Sequence, residues 1–188
     1  MTRSLPVAVL VFVCALPAAL GAQVTRSVSV GASGGLSLPV SDLGETAQSG
    51  YSVAGHMFLK PAGRERLLFR GDVTYDRWSA KPAPGNNVQD ANFTGMGFVA
   101  NAIASAGTAK SSRRPYLLAG AGFFRTNLAG KGSGAGFTSE SSDMGIQVGG
   151  GMTFALSGMS TFLEAKYVNV FRSPTSWTYV PITFGVRF

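Results

Sequence analysis

The chain has 188 residues, with 16 Lys and Arg against 9 Asp and Glu, one His and one Cys. Only 13% of residues are charged, about half the usual ~25%, while the 25 glycines are nearly twice the ordinary ~7% share; a disordered tail, a coiled coil and a charged cytosolic domain do not have this balance. The one cysteine, Cys14, sits in an N-terminal apolar run, so the remainder has no disulfide framework, no thiolate zinc site and no Cys nucleophile.

Met1-Thr2-Arg3 is a short basic start, and Leu5 to Leu20 is an apolar run broken by Pro6 and Pro17. That run is shorter than the about 20 residues a membrane-spanning helix needs. It fits a secretory signal peptide. Cleavage after Ala22 and after Gly21 both stay open, the second placing the small Ala19 three residues before the cut. Val11-Phe12-Val13 lacks the small residues that would make Cys14 a lipoprotein anchor. The expected organisation is therefore 1–22 removed and 23–188 one exported domain with a net charge of +6.

The exported part reads as eight segments that alternate apolar and polar residues, near 26–38, 50–60, 66–78, 92–104, 114–126, 143–156, 160–172 and 178–188. A period of two marks strands with a different face on each side. Met144, Ile146, Val148, Gly150, Met152, Phe154 and Leu156 alternate with Gly145, Gln147, Gly149, Gly151, Thr153 and Ala155. Val28, Val30 and Ala32 alternate with Ser29, Gly31 and Ser33 in the first segment. Longer connections near 39–49, 79–91 and 127–142 take turns with shorter ones, and runs such as Lys81 to Asn87 and Gly130 to Gly134 read as loop. No helical period is present. The fourth and fifth segments leave their faces open, because Phe93 and Val99 contradict Met96 and Phe98. Asn169 falls on the oily side of the seventh, which predicts a bulge or the start of a loop.

Which face is wet sets the class. In the third segment Leu67, Phe69, Val73 and Tyr75 oppose Arg70, Asp72, Thr74 and Asp76; in the seventh, Leu163, Ala165 and Tyr167 oppose Glu164 and Lys166. Opposite charges share the polar faces, as a self-neutralising interior requires. A membrane barrel places that polar face inside and the oily face outside. Tyr51, Tyr75, Trp78, Tyr116, Phe171, Trp177 and Tyr179 lie near segment ends, the placement of interfacial girdles. In-strand Gly95, Gly97, Gly120, Gly122, Gly149, Gly150 and Gly151 would relieve crowding inside a narrow barrel. Gly149 to Gly151 has no following Lys-Ser/Thr or helix, so it is not a phosphate loop.

The last segment ends in Phe188, with Val186, Phe184, Ile182 and Val180 stepping back by two. With the leader and the eight segments, this resembles the small eight-stranded outer-membrane proteins, the group of the outer-membrane protein A barrel and the OmpX-like and opacity-like proteins. The resemblance implies a closed, antiparallel, eight-stranded, up-and-down transmembrane β-barrel in a bacterial outer membrane. It also implies that Val180, Ile182, Phe184, Val186 and Phe188 form the signal read by the assembly machinery, after delivery by periplasmic chaperones. Lipid and lipopolysaccharide are the expected surroundings, and the barrel is expected to be a monomer.

His56, Arg70, Asp72, Asp76, Glu164 and Lys166 are the candidate polar residues of the lumen. No catalytic set, metal site or cofactor is expected. His56 shares its parity with Ser52, Ala54, Phe58 and Lys60 and is expected to bond Asp72 or Asp76; with no His-x-Ser pattern, a lipid A or phospholipid acyl-modifying enzyme is the minor alternative. A narrow ion or solute pore through Arg70, Asp72, Asp76, Glu164 and Lys166 is another, and a soluble ligand-carrying barrel a third. The basic residues are scattered without stacking aromatics, which excludes nucleic acid. Lys81 and Lys131 are candidates for contact with lipopolysaccharide phosphates. The favoured function is non-catalytic, structural or surface-interacting.

Overall fold

The computed structural model describes residues 28–81, 89–107, 111–131, 136–156, 159–173 and 175–188. The expected signal peptide, the two expected cleavage positions and Cys14 lie outside them. Eight strands form one closed barrel: β1 Val28–Val40, β2 Gly50–Leu59, β3 Leu67–Ser79, β4 Gln89–Ser105, β5 Arg113–Lys131, β6 Gly136–Leu156, β7 Met159–Val170 and β8 Trp177–Arg187. Every neighbouring pair is antiparallel, and β1 closes on β8 from Gly31↔Arg187 to Val40↔Thr178. Closure matters because it removes sheet edges that would leave main-chain groups without partners.

The alternation decides which way each side chain points. Val30, Val53, Met57, Phe69, Val73, Leu163, Tyr167, Ile182 and Phe184 are exposed on the outer wall, while Ser52, His56, Arg70, Asp72, Asp76, Glu164 and Lys166 are buried inside. The open question in β4 and β5 is resolved. Met96, Phe98, Leu117 and Phe123 point out, and Phe93, Val99, Leu118 and Phe124 point in. Small residues make room for the inward rings. A Cβ on Gly97 would stand 2.7 Å from Phe124, and one on Gly185 would stand 2.2 Å from Phe162.

Four expectations need correction. The stretch 127–142 is not simply loop: β5 runs to Lys131 and β6 starts at Gly136, so the hairpin rises above the rim, beyond the Gly145↔Val170 pair where β7 stops. Thr138 to Ser142 holds no apolar residue, which hides that part of the strand from a hydrophobic pattern. A six-residue helix, α1 (Ser41–Thr46), interrupts the first long connection and buries Leu43 over the barrel end; six residues are too few for a helical period to register. Asn169 causes no bulge, since its pairing with Ile146 and Thr178 keeps register, and it sits one residue before β7 ends. The girdle is only partly external. Tyr51 and Phe171 face out, whereas Trp78, Tyr116, Trp177 and Tyr179 are buried in the lumen, where their parity places them.

The lumen is therefore layered. At the end with the longer connections, Leu43, Ala47, Trp78, Phe93, Trp177 and Tyr179 form an apolar lid, with Trp78 stacked edge-on 4.8 Å from Tyr179. Phe58, Ile103, Tyr116, Leu118 and Phe162 cluster towards the other end. Charged side chains occupy the space between.

Candidate functional site

The centre of the site is Arg70. β3 and β7 stand four strands apart in a ring of eight, so a contact between them crosses the lumen. Arg70 Nη1 donates to Glu164 Oε2 at 2.7 Å and Nη2 to Glu164 Oε1 at 2.8 Å, a bidentate pair across the barrel. Arg70 Nη2 also donates to Asp72 Oδ2 at 3.0 Å, while Nε lies 2.8 Å from Asp72 Oδ1 at an angle too bent for a hydrogen bond. Lys166 Nζ is 3.5 Å from Glu164 and 3.9 Å from Asp72. Two cations thus meet two carboxylates, all buried. That pairing is what makes burial of four charges tolerable.

Three neutral side chains complete the set; none is among the lumen residues expected from sequence, and Tyr116 is expected there in the outer girdle. Tyr116 donates to Glu164 Oε2 at 2.7 Å. The Asn101 amide donates to Asp72 Oδ2 at 2.9 Å, and Gln147 donates to Asn101. Their signal was parity alone, since each faces inward on β4, β5 or β6 and carries a donor. Asp76 belongs to a different layer. It accepts from Tyr179 at 3.3 Å, nearer the apolar lid, and shares no ion pair with the others among the described residues.

His56 lies directly opposite Asp72 in the β2–β3 register. Its Nδ1 is 2.7 Å from Asp72 Oδ1, and its Nε2 is 2.8 Å from Ser33 Oγ on β1. Ser33, His56 and Asp72 are thus linked in the order of a nucleophile, a base and an orienting acid. The local sequence around His56 contains no hint of it, because the serine arrives from the neighbouring strand, 23 residues earlier. The surroundings are structural in character. The His56 ring packs against Phe58 and Phe162 at 5.9 and 5.6 Å, and Asp72 is already held by Arg70 and Asn101. A serine-reactive fluorophosphonate is expected to leave Ser33 unlabelled in the folded barrel. Labelling that disappears in His56→Asn would turn this relay into a working hydrolase.

The remaining sites are peripheral. Val180, Ile182, Phe184, Val186 and Phe188 share the outward side of the last strand, with Phe184 and Phe188 strongly exposed and Pro181, Thr183 and Gly185 turned inward. Lys81 donates to the Gly44 main-chain oxygen of α1. The side chain of Lys131 lies outside the described residues. On the raised hairpin Arg125 pairs with Glu140, and its hydrogen bond and charge hold that exposed carboxyl below the ordinary glutamate range. The described residues contain no group of His, Cys, Asp and Glu arranged to hold a metal ion.

No protein-family profile matches the chain, and no curated protein matches it in sequence. Solved structures do. Neisserial surface protein A is similar at a TM-score of 0.62 with 22% identity, over 85% of this chain and 95% of that one. Ail, the attachment invasion locus protein of Yersinia pestis, crystallised with the heparin analogue sucrose octasulfate, is similar at 0.53 with 15% identity, over 86% and 98%. These likenesses are of fold. The chain has the fold of the small eight-stranded outer-membrane barrels.

Proposed function

We propose that this chain is an integral outer-membrane barrel with a structural or surface-interaction role and no catalytic one. The observation that carries this is the distribution of surface. Large apolar side chains face outward on all eight strands, while His56, Arg70, Asp72, Asp76, Glu164 and Lys166 are buried in the lumen. A soluble monomer rarely exposes a contiguous apolar patch beyond a few hundred Å². A soluble ligand-carrying barrel would have the opposite arrangement. In lipid the outer wall is satisfied and the closed ladder leaves no main-chain edge bare.

On this reading residues 1–22 are the export signal, and β1 starts and β8 ends on the periplasmic side. The alternating outward residues Val180 to Phe188 are what the assembly machinery engages, and chaperones escort the unfolded chain. Lipopolysaccharide and phospholipid surround a monomer. The surface role falls to the opposite end, where α1 and the raised β5–β6 hairpin stand above the rim. The hairpin presents Arg125, Asn127 and Glu140, and Arg172 from the β7–β8 connection donates to its Ser139, giving a mixed polar surface. Deleting Phe188 is expected to lower the yield of assembled barrel in the outer membrane by several-fold, and an unchanged yield would remove the assembly role. Extraction of the protein by high salt alone would sink the membrane reading.

The lumen also bears on conductance. An eight-stranded barrel has an interior just wide enough for its side chains. Here the Arg70–Glu164 bridge crosses it, and the Trp78, Trp177 and Tyr179 lid covers one end. Planar bilayers containing the purified protein are expected to stay silent. Steady unit currents, altered by Glu164→Gln, would establish a pore instead.

A further inference from the structure

Among the described residues an apolar lid covers one end of the lumen and a cavity enters the other. Where β1 begins and β8 ends, a cavity of about 170 Å³ enters the barrel. Its floor includes Arg70 and Tyr116, both engaged by Glu164. Its walls include the apolar Phe58, Ile103 and Phe162, and its rim carries Lys60, Arg114 and Arg187.

The rim cations are not balanced. Among the described residues no ion pair involves Lys60, Arg114 or Arg187. Glu65 also lines the cavity, but Arg114 donates to its main-chain oxygen at 3.3 Å, not to its carboxylate. Arg114 Nε is buried and has no hydrogen-bond partner among the described residues. Arg187 is held in place, with Nε donating to Ser29 Oγ at 2.7 Å and the guanidinium 4.8 Å above the Phe58 ring. Arg114 and Arg187 both line this cavity, so their like charges share one mouth. Two like charges at an apolar wall are unfavourable alone and become favourable around an anion.

We propose that this mouth is a binding site for a small organic phosphate monoester, with the dianionic head between Arg114 and Arg187 and an apolar ring or short chain against Phe58, Ile103 and Phe162. Guanidinium forks match phosphate oxygens, and two of them with Lys60 nearby suit a dianion better than a monoanion. A cavity of about 150 Å³ accommodates benzene, so this one takes a ring with its headgroup near the rim. The site depends on the barrel fold and not on the membrane around it, so its failure would leave the outer-membrane reading intact.

The test is titration of phenyl phosphate into the full exported chain, refolded in maltoside micelles and followed by calorimetry and by the arginine side-chain NMR signals. Saturable one-to-one binding is expected, tighter than that of phenylacetate or inorganic phosphate. Arg114→Gln should weaken it, and Arg114→Gln with Arg187→Gln should weaken it by about tenfold or more, as loss of charge-assisted contacts does. Lys81→Gln, at the other end, should not. Because Arg187 lies in the last strand, each variant is first checked for the gel-mobility difference between boiled and unboiled samples, and Arg114→Gln alone suffices if the double variant does not fold. Competition by phosphatidic acid in nanodiscs would assign the head to a lipid, and no competition would assign it to a soluble ester. Non-saturating binding, equal affinity for phenylacetate, or unchanged affinity in the arginine variants would overturn the proposal.

Discussion

Arg70→Leu is expected to destabilise the barrel by about 3–5 kcal/mol, the usual cost of removing one member of a buried ion pair. The loss is not only of attraction. Glu164 and Asp72 would remain buried with Lys166, 3.5 and 3.9 Å away, as the one ammonium or guanidinium paired with them among the described residues. Their desolvation would go largely uncompensated. The readout is the urea or temperature midpoint at which the unboiled gel mobility is lost. Adding Glu164→Leu should recover a large part of the loss, because replacing both partners by apolar groups removes the stranded charge. Asp72 would then still accept from Asn101 and pair with His56. An Arg70→Leu barrel as stable as the parent would mean that the lumen is wet enough to solvate both carboxylates.

The second large effect concerns a glycine. Gly185→Ala is expected to cost about 1–3 kcal/mol through overpacking. The new Cβ would lie 2.2 to 2.7 Å from three atoms of the Phe162 ring, and that ring is hemmed in by His56 and Phe58 at 5.6 and 6.4 Å. Phe162→Leu in the same chain should restore most of the stability, since it removes the obstacle. The outward-facing Gly55 supplies the contrast: a Cβ there meets nothing within 4 Å, so Gly55→Ala should be neutral or slightly stabilising. Equal costs at Gly55 and Gly185 would show that strand propensity, and not lumen space, governs these glycines.

The barrel was legible in the sequence because period two survives in every strand that touches the apolar belt. Where the chain leaves the belt, the pattern stops carrying information, and the upper part of the β5–β6 hairpin looks like loop in the sequence. Parity also puts His56, Arg70, Asp72, Asp76, Glu164 and Lys166 on inward faces, and Asp72 is one of the two partners it offers His56. What parity could not supply was depth. Asp76 and Asp72 share a face of β3, yet Asp76 pairs with Tyr179 near the lid and Asp72 with Arg70 and His56 in the middle. Nor could it supply contacts that exist only after closure. Ser33 meets His56 from β1, and Tyr116 meets Glu164 from β5, because the ring brings them together. Position near strand ends suggests an outer girdle for Trp78, Trp177 and Tyr179, but their parity turns them inward.

The Arg70–Glu164 bridge has a further consequence, in time and not in equilibrium. Its partners are 94 residues apart and on opposite walls, so it forms only when the ring is nearly complete. An interaction absent until late in folding contributes little to the rate of assembly and much to the rate of opening. The bridge therefore works as a closing latch: cutting it should leave closure of the ring nearly as fast as before while shortening the lifetime of the finished barrel.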